Sequence, residues 1–328
     1  MARKARIGVA LAAAASSLLT LAACSSTPSS GSSGSGQAKA GTAQVTVAVL
    51  APSSLQWLQA IADQEGFYAK HGVSVKTIQV QSSSELVQAV SSGSADAGIA
   101  EGNTTVTAID QGAHVIITGA LFQKPALRLF GGPGVKSIAA MSGTKVTAGA
   151  VSGGTYDLLL DLLKQGGVSS AKVTPVAITN SSDRVTALQN GQVKGALLIP
   201  PFDTLAQSQG STLLATYDKD YIETPAIVND DWAKENTAAA RGFTEGLEDA
   251  AKWIYQPANK QQAISILASY ASVNQSDATA AYTFLIGSKI ISPDLSVPAD
   301  GIENLITVAG GSLAGFSLSK YVDSQYLK

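Results

Sequence analysis

The chain of 328 residues contains a single cysteine, Cys24, and two histidines, His71 and His114. One cysteine forms no intrachain disulfide, so the fold must rest on its core. Neither histidine has a companion at metal-ligand spacing, which excludes a histidine- or cysteine-based metal site. Both read as structural: Lys70-His71-Gly72 is a helix-ending turn, and His114 opens the strand that begins Val115-Ile116-Ile117. Charged residues are sparse at 14%, the net charge is −2, and basic residues form no cluster beyond the N-terminus, which argues against a nucleic-acid partner. No Gly-x-Ser-x-Gly elbow, Walker loop or metal cluster is present, so the usual signatures of catalysis are missing and no cofactor is implied. After the N-terminal region no run of about 18 apolar residues occurs, so no later segment is expected to span a bilayer.

What the sequence does contain begins at that N-terminus. Arg3, Lys4 and Arg6 precede an apolar stretch from Ile7 to Ala23, which ends in Leu21-Ala22-Ala23-Cys24. A basic region, an apolar region and a small-residue cleavage site form the layout of a secretory signal. It resembles a bacterial lipoprotein signal, in which cleavage precedes a cysteine that carries the lipid. The expectation is a signal peptide over 1–23, lipidation at Cys24, and a protein outside the cytoplasm, tethered to the membrane through acyl chains alone. The alternative is an uncleaved helix, weakened by Ser16, Ser17 and Thr20 and near the lower length limit for a span. Loss of Arg3, Lys4 and Arg6 leaves 19 basic against 24 acidic residues, a net charge of −5. With Cys24 lipidated, no thiol nucleophile remains.

Residues 24–43 form a Ser/Gly-rich stretch without apolar periodicity, expected to be a flexible tether. Beyond it, strands alternate with helices. Val45, Val47 and Val49 alternate as a strand; Pro52-Ser53-Ser54 starts a helix whose stripe is Leu58, Ile61 and Ala62 and which ends near Gly66. Val73 to Val80 is the next strand. Ser82 and Glu85 have capping-box spacing before Leu86, Val87, Ala89 and Val90. Ala97 to Ala100 is a short buried strand, and a helix runs from Gly102-Asn103-Thr104 to Gly112. Val45–Leu58 can be laid over Val146–Leu159 at an offset of 101, and Val87, Ala89, Gly93 and Ile99 over Val185, Ala187, Gly191 and Leu197 at an offset of 98. Two similar α/β units follow from this repetition, each a mostly parallel sheet flanked by helices. After Pro225 the pattern becomes helical: Asp231 to Tyr255 is the longest candidate, with Trp232, Phe243, Leu247 and Trp253 as anchors, and Leu318 to Leu327 is the last.

Several stretches resemble the type 2 periplasmic binding proteins of the nitrate/sulfonate/taurine and thiamine-pyrimidine-precursor (NMT1-like) family, the substrate receptors of ABC importers. They are Glu65 through Val73, Glu85 through Gly98, Gly112 through Val115, Ser142 through Val146, Gly153-Gly154-Thr155 and Ala187 through Pro201. The resemblance implies a two-lobed α/β fold with the ligand cleft between the lobes. Lobe 1 is expected at 44–123 plus 225–328 and lobe 2 at 124–224, with crossings near Gln123-Lys124-Pro125 and Glu223-Thr224-Pro225. It also implies a monomer that captures a small-molecule solute for an ABC permease and its ATPase. A receptor signalling to a membrane sensor, or a carboxylate-dependent enzyme using Glu101 and Asp203, are the alternatives.

Helix starts at the carboxyl ends of the strands should face this cleft and present free N–H groups to a ligand. The candidates are Ser53 and Ser54, Ser83, Asn103 and Thr104, and Gly153, Gly154 and Thr155, although Ser, Thr and Asn also cap helices with no ligand nearby. Trp57, Phe122, Tyr156 and Phe202 are candidates for an apolar wall. Glu101 and Asp203 are the acids near the cleft; Glu85, Asp157 and Asp183 sit in first helical turns and suit the helix dipole. Lys124 and Arg184 are the nearby basic residues, and no arginine clamp for a sulfonate or carboxylate is evident. On charge, a neutral heteroaromatic or an amine held by Glu101 or Asp203 is the expected ligand.

Overall fold

A computed structural model describes residues 42–151, 154–217 and 219–327. The signal peptide, Cys24, nearly all of the tether and Gly153 lie outside the described residues. Ten strands occur in chain order: β1 (Ala43–Val49), β2 (Val73–Gln79), β3 (Ala97–Ile99), β4 (Val115–Phe122), β5 (Arg128–Gly131), β6 (Lys145–Thr147), β7 (Thr174–Pro175), β8 (Gly195–Leu198), β9 (Thr212–Thr216) and β10 (Thr224–Asn229). They form two five-stranded sheets, ordered β2-β1-β3-β10-β4 and β7-β6-β8-β5-β9. In each sheet four strands run one way and the fourth in order is reversed: β10 is antiparallel to both β3 and β4, and β5 to both β8 and β9. The reversed strand is in both cases the one that follows a connection between the sheets. The fold is therefore two-lobed, each lobe carrying a mostly parallel sheet.

The helices are α1 (Trp57–Gln64), α2 (Phe67–Lys70), α3 (Ser83–Ser91), α4 (Gly102–Asp110), α5 (Gly154–Gln165), α6 (Ser181–Gln189), α7 (Phe202–Ser208), α8 (Asp230–Glu235), α9 (Thr237–Ile254), α10 (Lys260–Tyr270), α11 (Gln275–Gly287) and α12 (Ala299–Val308). Their starts follow local chemistry. Ser82 Oγ accepts the Glu85 N–H at 3.2 Å, and Glu85 returns a bond by accepting the Gln81 N–H at 2.8 Å, one residue ahead of the usual partner. The offset of 98 relates α3 to α6 residue for residue, and the glycines that follow, Gly93 and Gly191, both have φ near +70° (76° and 69°). Among the described residues no helix is long and apolar enough to cross a membrane.

Three features of the tail and crossings differ from the sequence expectations. Asp231 to Tyr255 is not one helix, because Asn236 leaves helical geometry (φ −123°, ψ 42°), where both its backbone N–H and its side-chain amide donate to the Trp232 carbonyl and close α8. Of its anchors, Phe243 and Leu247 are fully buried on α9, whereas Trp232 and Trp253 are half-buried at the rim. Leu318 to Leu327 contains two short 3₁₀ turns, Leu318–Lys320 and Ser324–Tyr326, the second capped by the Asp323 side chain. Finally, Thr224-Pro225 lies inside β10 rather than in a connection; Pro225, which has no N–H, sits at a register shift where the ladder is already interrupted. The return connection thus ends at Glu223.

Leu58, Ile61, Phe243, Leu247, Ile264 and Leu267 belong to one apolar cluster, and Leu86, Ile117, Leu129, Leu159 and Leu197 to the other. Each such side chain contributes about 1.5–3 kcal/mol on burial. The histidines serve this framework. The His71 ring nitrogens lie 3.1 Å from Glu245 and 3.0 Å from Asp249, tying α2 to α9, and His114 Nδ1 is 2.8 Å from Asp231.

Two glycines show how a close approach decides tolerance. A methyl group on Gly102 would penetrate the Ile222 carbonyl oxygen, which belongs to the return connection, and would press on Leu305. A methyl group on Gly195 would meet only the flexible Met141 thioether end, at 2.6 Å and 2.7 Å, with Val146 at 3.3 Å. We expect Gly102→Ala to lose about 1–3 kcal/mol in denaturant unfolding, the range for overpacking. Gly195→Ala should lose distinctly less. Equal losses would show that the Ile222 backbone is free to move.

Candidate functional site

The carboxyl ends of the parallel strands face one another across a partly open cavity of about 120 Å³. That is room for several waters, each needing about 10–15 Å³, or for a small organic solute. From the first sheet come the turn after β1 (Leu50 to Ser53, Leu55 and Gln56), the start of α3 (Gln81 to Ser84) and the turn after β3 (Ala100, Glu101, Thr104). From the second come the turn after β6 (Ala148, Gly149, Ala150), the start of α5 (Gly154, Thr155, Tyr156) and the start of α6 (Asn180, Ser181, Arg184). Leu127, Glu223 and Thr224, where the chain passes between the sheets, close the back. The N-termini of α3, α5 and α6 therefore converge, and their free N–H groups and partial positive charges favour an anion.

Of the residues singled out by sequence, Ser53, Ser83, Glu101, Thr104, Gly154, Thr155 and Tyr156 line this cavity. Ser54, Trp57, Asn103, Phe122, Phe202 and Asp203 do not. Trp57 is fully buried behind the turn, donates its indole N–H to the Ala263 carbonyl at 3.1 Å and packs edge-on to Tyr282. Phe122 points into the core from β4, and Phe202 is core at the start of α7. Ser54 is fully buried beside the cavity, and its N–H donates to the Pro200 carbonyl at 3.2 Å, linking the two lobes. Asn103 is buried next to Gly154, whose Cβ, if present, would lie 2.5 Å from Asn103 Cβ. Asp203 is 1% exposed and accepts a 2.9 Å bond from Arg128 Nη1, whose guanidinium lies 3.6 Å over the Phe284 ring. This removes Asp203 from ligand binding and from any two-carboxylate catalytic pair with Glu101.

The largest correction concerns Arg184. It is 6% exposed, lines the cavity, and donates from Nη2 to Ser181 Oγ. Its Nε has no partner, and among the described residues no carboxylate lies within 4.0 Å of its guanidinium. Burial lowers its pKa to about 10, which still leaves it charged at neutral pH. A buried guanidinium at the start of a helix, with Nε unpartnered and no carboxylate beside it, keeps a donor that a ligand could use. The sequence placed Arg184 near the cleft without an evident arginine clamp; in the structure its guanidinium lies on the cavity wall. Lys124, the other basic residue expected nearby, forms a surface pair with Asp220 at 3.7 Å.

The opposite side of the cavity is acidic. Glu101 accepts bonds from Thr104 Oγ1 at 2.8 Å and from Thr155 Oγ1 at 3.1 Å, so one carboxyl joins α4 of the first lobe to α5 of the second. Burial pushes its pKa up against these two bonds. Glu223 sits between the two connections: its N–H donates to the Phe122 carbonyl at 3.0 Å, and its carboxyl accepts the Ala126 N–H at 2.7 Å. Burial pushes it up to about 8, opposed by the Ala126 bond and reinforced by nearby Glu101. Glu223 is therefore mostly protonated at pH 7.

Sequence reasoning missed Gln56, Asn180 and Ser181 as cavity residues, named Arg184 only as a nearby basic residue, and took Glu223 and Thr224 only as part of a crossing. For Arg184 a signal was available. The offset of 98 places it over Leu86, which is fully buried on α3. An arginine where the repeat buries a leucine faces inward by helical geometry. Glu223 offered no such signal, because its place beside Ala126 depends on how the two connections pack.

No curated protein matches this sequence. Solved structures do match in fold. A protein from Bordetella bronchiseptica RB50 superposes with a TM-score of 0.71 at 20% identity, covering 87% of this chain and 95% of that one. The alkanesulfonate-binding protein SsuA from Xanthomonas axonopodis pv. citri, bound to MOPS, gives 0.68 at 17% identity, with 83% and 92% covered. The periplasmic nitrate-binding protein NrtA from Synechocystis PCC 6803 gives 0.63 at 18% identity, with 72% and 69% covered. At these identities the likeness establishes the periplasmic binding protein fold. The model of the family described as NMT1/THI5 like matches residues 59–260, well over half of the sequence. With the paired sheets and the cavity between them in agreement, the chain belongs to the NMT1/THI5-like family.

Proposed function

We propose that this protein is an extracytoplasmic solute receptor, anchored by lipid at Cys24, that encloses a small organic anion between two lobes and delivers it to an ABC-type import permease. It performs no chemistry on the solute. The lobes are taken as 44–123 plus 225–328 and 124–224. The observation that carries the reading is Arg184: a buried guanidinium without a carboxylate partner among the described residues, facing a cavity that three helix N-termini also face. A charge left unpaired in a protein interior is destabilising, and a bound oxyanion would relieve it. Family membership and the neighbours' fold support the receptor role, since the SsuA and NrtA structures are those of sulfonate- and nitrate-binding proteins.

A thermal-shift panel of alkanesulfonates, short carboxylates, nitrate and neutral pyrimidines tests this on the purified chain. An oxyanion at 100 times its dissociation constant should add about 2.7 kcal/mol of stability. Stabilisation by neutral pyrimidines, with none by any anion, would overturn the assignment to Arg184.

A further inference from the structure

At one edge of the cavity the two lobes meet more closely than ordinary side chains permit. Gly154 opens α5, and a Cβ placed on it would lie 2.5 Å from Asn103 Cβ and 2.9 Å from Asn103 Nδ2, and nearer still to Glu101 Oε1. Alanine is a better helix former than glycine, so α5 by itself gains nothing from glycine here. The reason lies across the seam, where α4 of the first lobe meets α5 of the second. Two opposed effects act at that seam. Glu101 is the N-cap of α4, and its carbonyl accepts the Thr105 N–H at 3.1 Å and the Thr105 hydroxyl at 2.8 Å. With its backbone fixed in this way, its carboxyl reaches across to accept the Thr155 hydroxyl. Beside it Asn103 is 3% exposed, and both the nitrogen and the oxygen of its amide are buried without a partner. An amide buried without hydrogen bonds disfavours the state that buries it. Joining the lobes makes the bond from Thr155 to Glu101, whereas parting them returns the Asn103 amide to water.

The seam is also a partition. On its other side lies a groove of about 660 Å³ between α3, α4 and α5, lined by Gln88, Asn103, Thr107 and Gln111 from the first lobe and by Asp157 from the second. Ser84, Thr104 and Gly154 face both the groove and the cavity. We infer that Glu101, Asn103 and Gly154 form a gate between this groove and the cavity: Gly154 lets α5 close flush on α4, Glu101 holds the seam shut through Thr155, and Asn103 drives it open. This rests on the receptor reading above for what the gate encloses. The three are positioning residues, which set how often the lobes part and therefore how fast a solute enters and leaves. A seam held only by attraction would release its solute slowly, and one with only the unpartnered amide would not stay closed; the two together keep both states within reach.

The experiment reads the width of the groove. Spin labels are attached to Gln88→Cys and Asp157→Cys, one on each lobe, in the full chain carrying Cys24→Ser so that no other thiol reacts. Their separation is measured by pulsed electron resonance on the chain alone and with methanesulfonate or nitrate. Gly154→Ala should move the distribution to longer separations and lower the closed-to-open ratio about tenfold or more. Combining it with Asn103→Gly removes the Cβ it strikes and should bring the ratio back to within about threefold of wild type, a rescue that a defect local to α5 would not show. Thr155→Val, which removes the bond to Glu101 and keeps the shape, should also lower the ratio. Asn103→Leu, similar in shape but without the amide, should raise it about fivefold or more. Equal distributions in wild type, Gly154→Ala and Asn103→Leu, or a double variant as open as Gly154→Ala alone, would overturn the gate. Variants that differ as expected, with no response of any chain to methanesulfonate or nitrate, would leave the gate standing and count against the anion reading. Asn103→Leu and Thr155→Val decide the matter even where Gly154→Ala does not fold.

Discussion

Arg184→Met is expected to abolish anion capture and to make the empty protein more stable. The two effects share one cause. Desolvation lowers the guanidinium pKa from its ordinary value to about 10, a differential of roughly 3 kcal/mol at about 1.4 kcal/mol per unit. That destabilisation is fully present at neutral pH, below both values, and is relieved only as the pH rises through about 10. Methionine preserves the apolar stem and removes the charge, at the loss of the bond to Ser181. A net gain of about 1–3 kcal/mol should appear in denaturant unfolding of the ligand-free chain. Binding of an oxyanion should weaken by about 2–5 kcal/mol, the range for truncating one partner of a buried charge pair. Loss of stability together with loss of binding would identify Arg184 as a packing residue instead. Opposite signs for binding and stability mark a residue kept for function.

Glu223→Gln is expected to change the pH dependence of stability. A carboxyl whose folded pKa is about 8 against an unfolded value near 4.5 contributes stability that is fully present below about 4.5 and lost as pH rises through about 8. Glutamine keeps the uncharged shape at every pH, and its side-chain oxygen still accepts the Ala126 N–H. The variant should match wild type near pH 4 and exceed it by about 3–5 kcal/mol near pH 9. Parallel pH profiles would show that Glu223 is solvated or paired in the folded protein. The residue lies in the connection between the lobes and in the cavity wall at once, so its charge state bears on both closure and ligand choice.

Much of the framework was legible because its causes are local. Ser82 and Glu85 announce a helix through atoms within four residues of each other, and the α3 and α6 repeats show the same turn glycines at the same spacing. The break at Asn236 was missed, although its cause is also local, because the apolar pattern on either side masks it. At the cavity, backbone-presenting positions such as Ser53, Ser83, Gly154 and Thr155 followed from topology, since the ends of parallel strands face the cleft. Aromatic positions did not: Trp57, Phe122 and Phe202 are consumed by the core, where large apolar area is most strongly stabilising.

By itself the sequence determined the alternation of strands and helices, the doubled α/β unit, the family, and which helix starts face the cleft. Hydrophobic period and capping act over a few residues and leave their mark in short stretches. Only the tertiary structure decided what each charge does. Asp203 is paired with Arg128, 75 positions away, and Glu223 meets the Ala126 N–H 97 positions away, while among the described residues Arg184 has no carboxylate within 4.0 Å. Electrostatic roles depend on burial and on neighbours brought together by folding, and no local pattern encodes which acid will find a partner and which base will be left for the ligand.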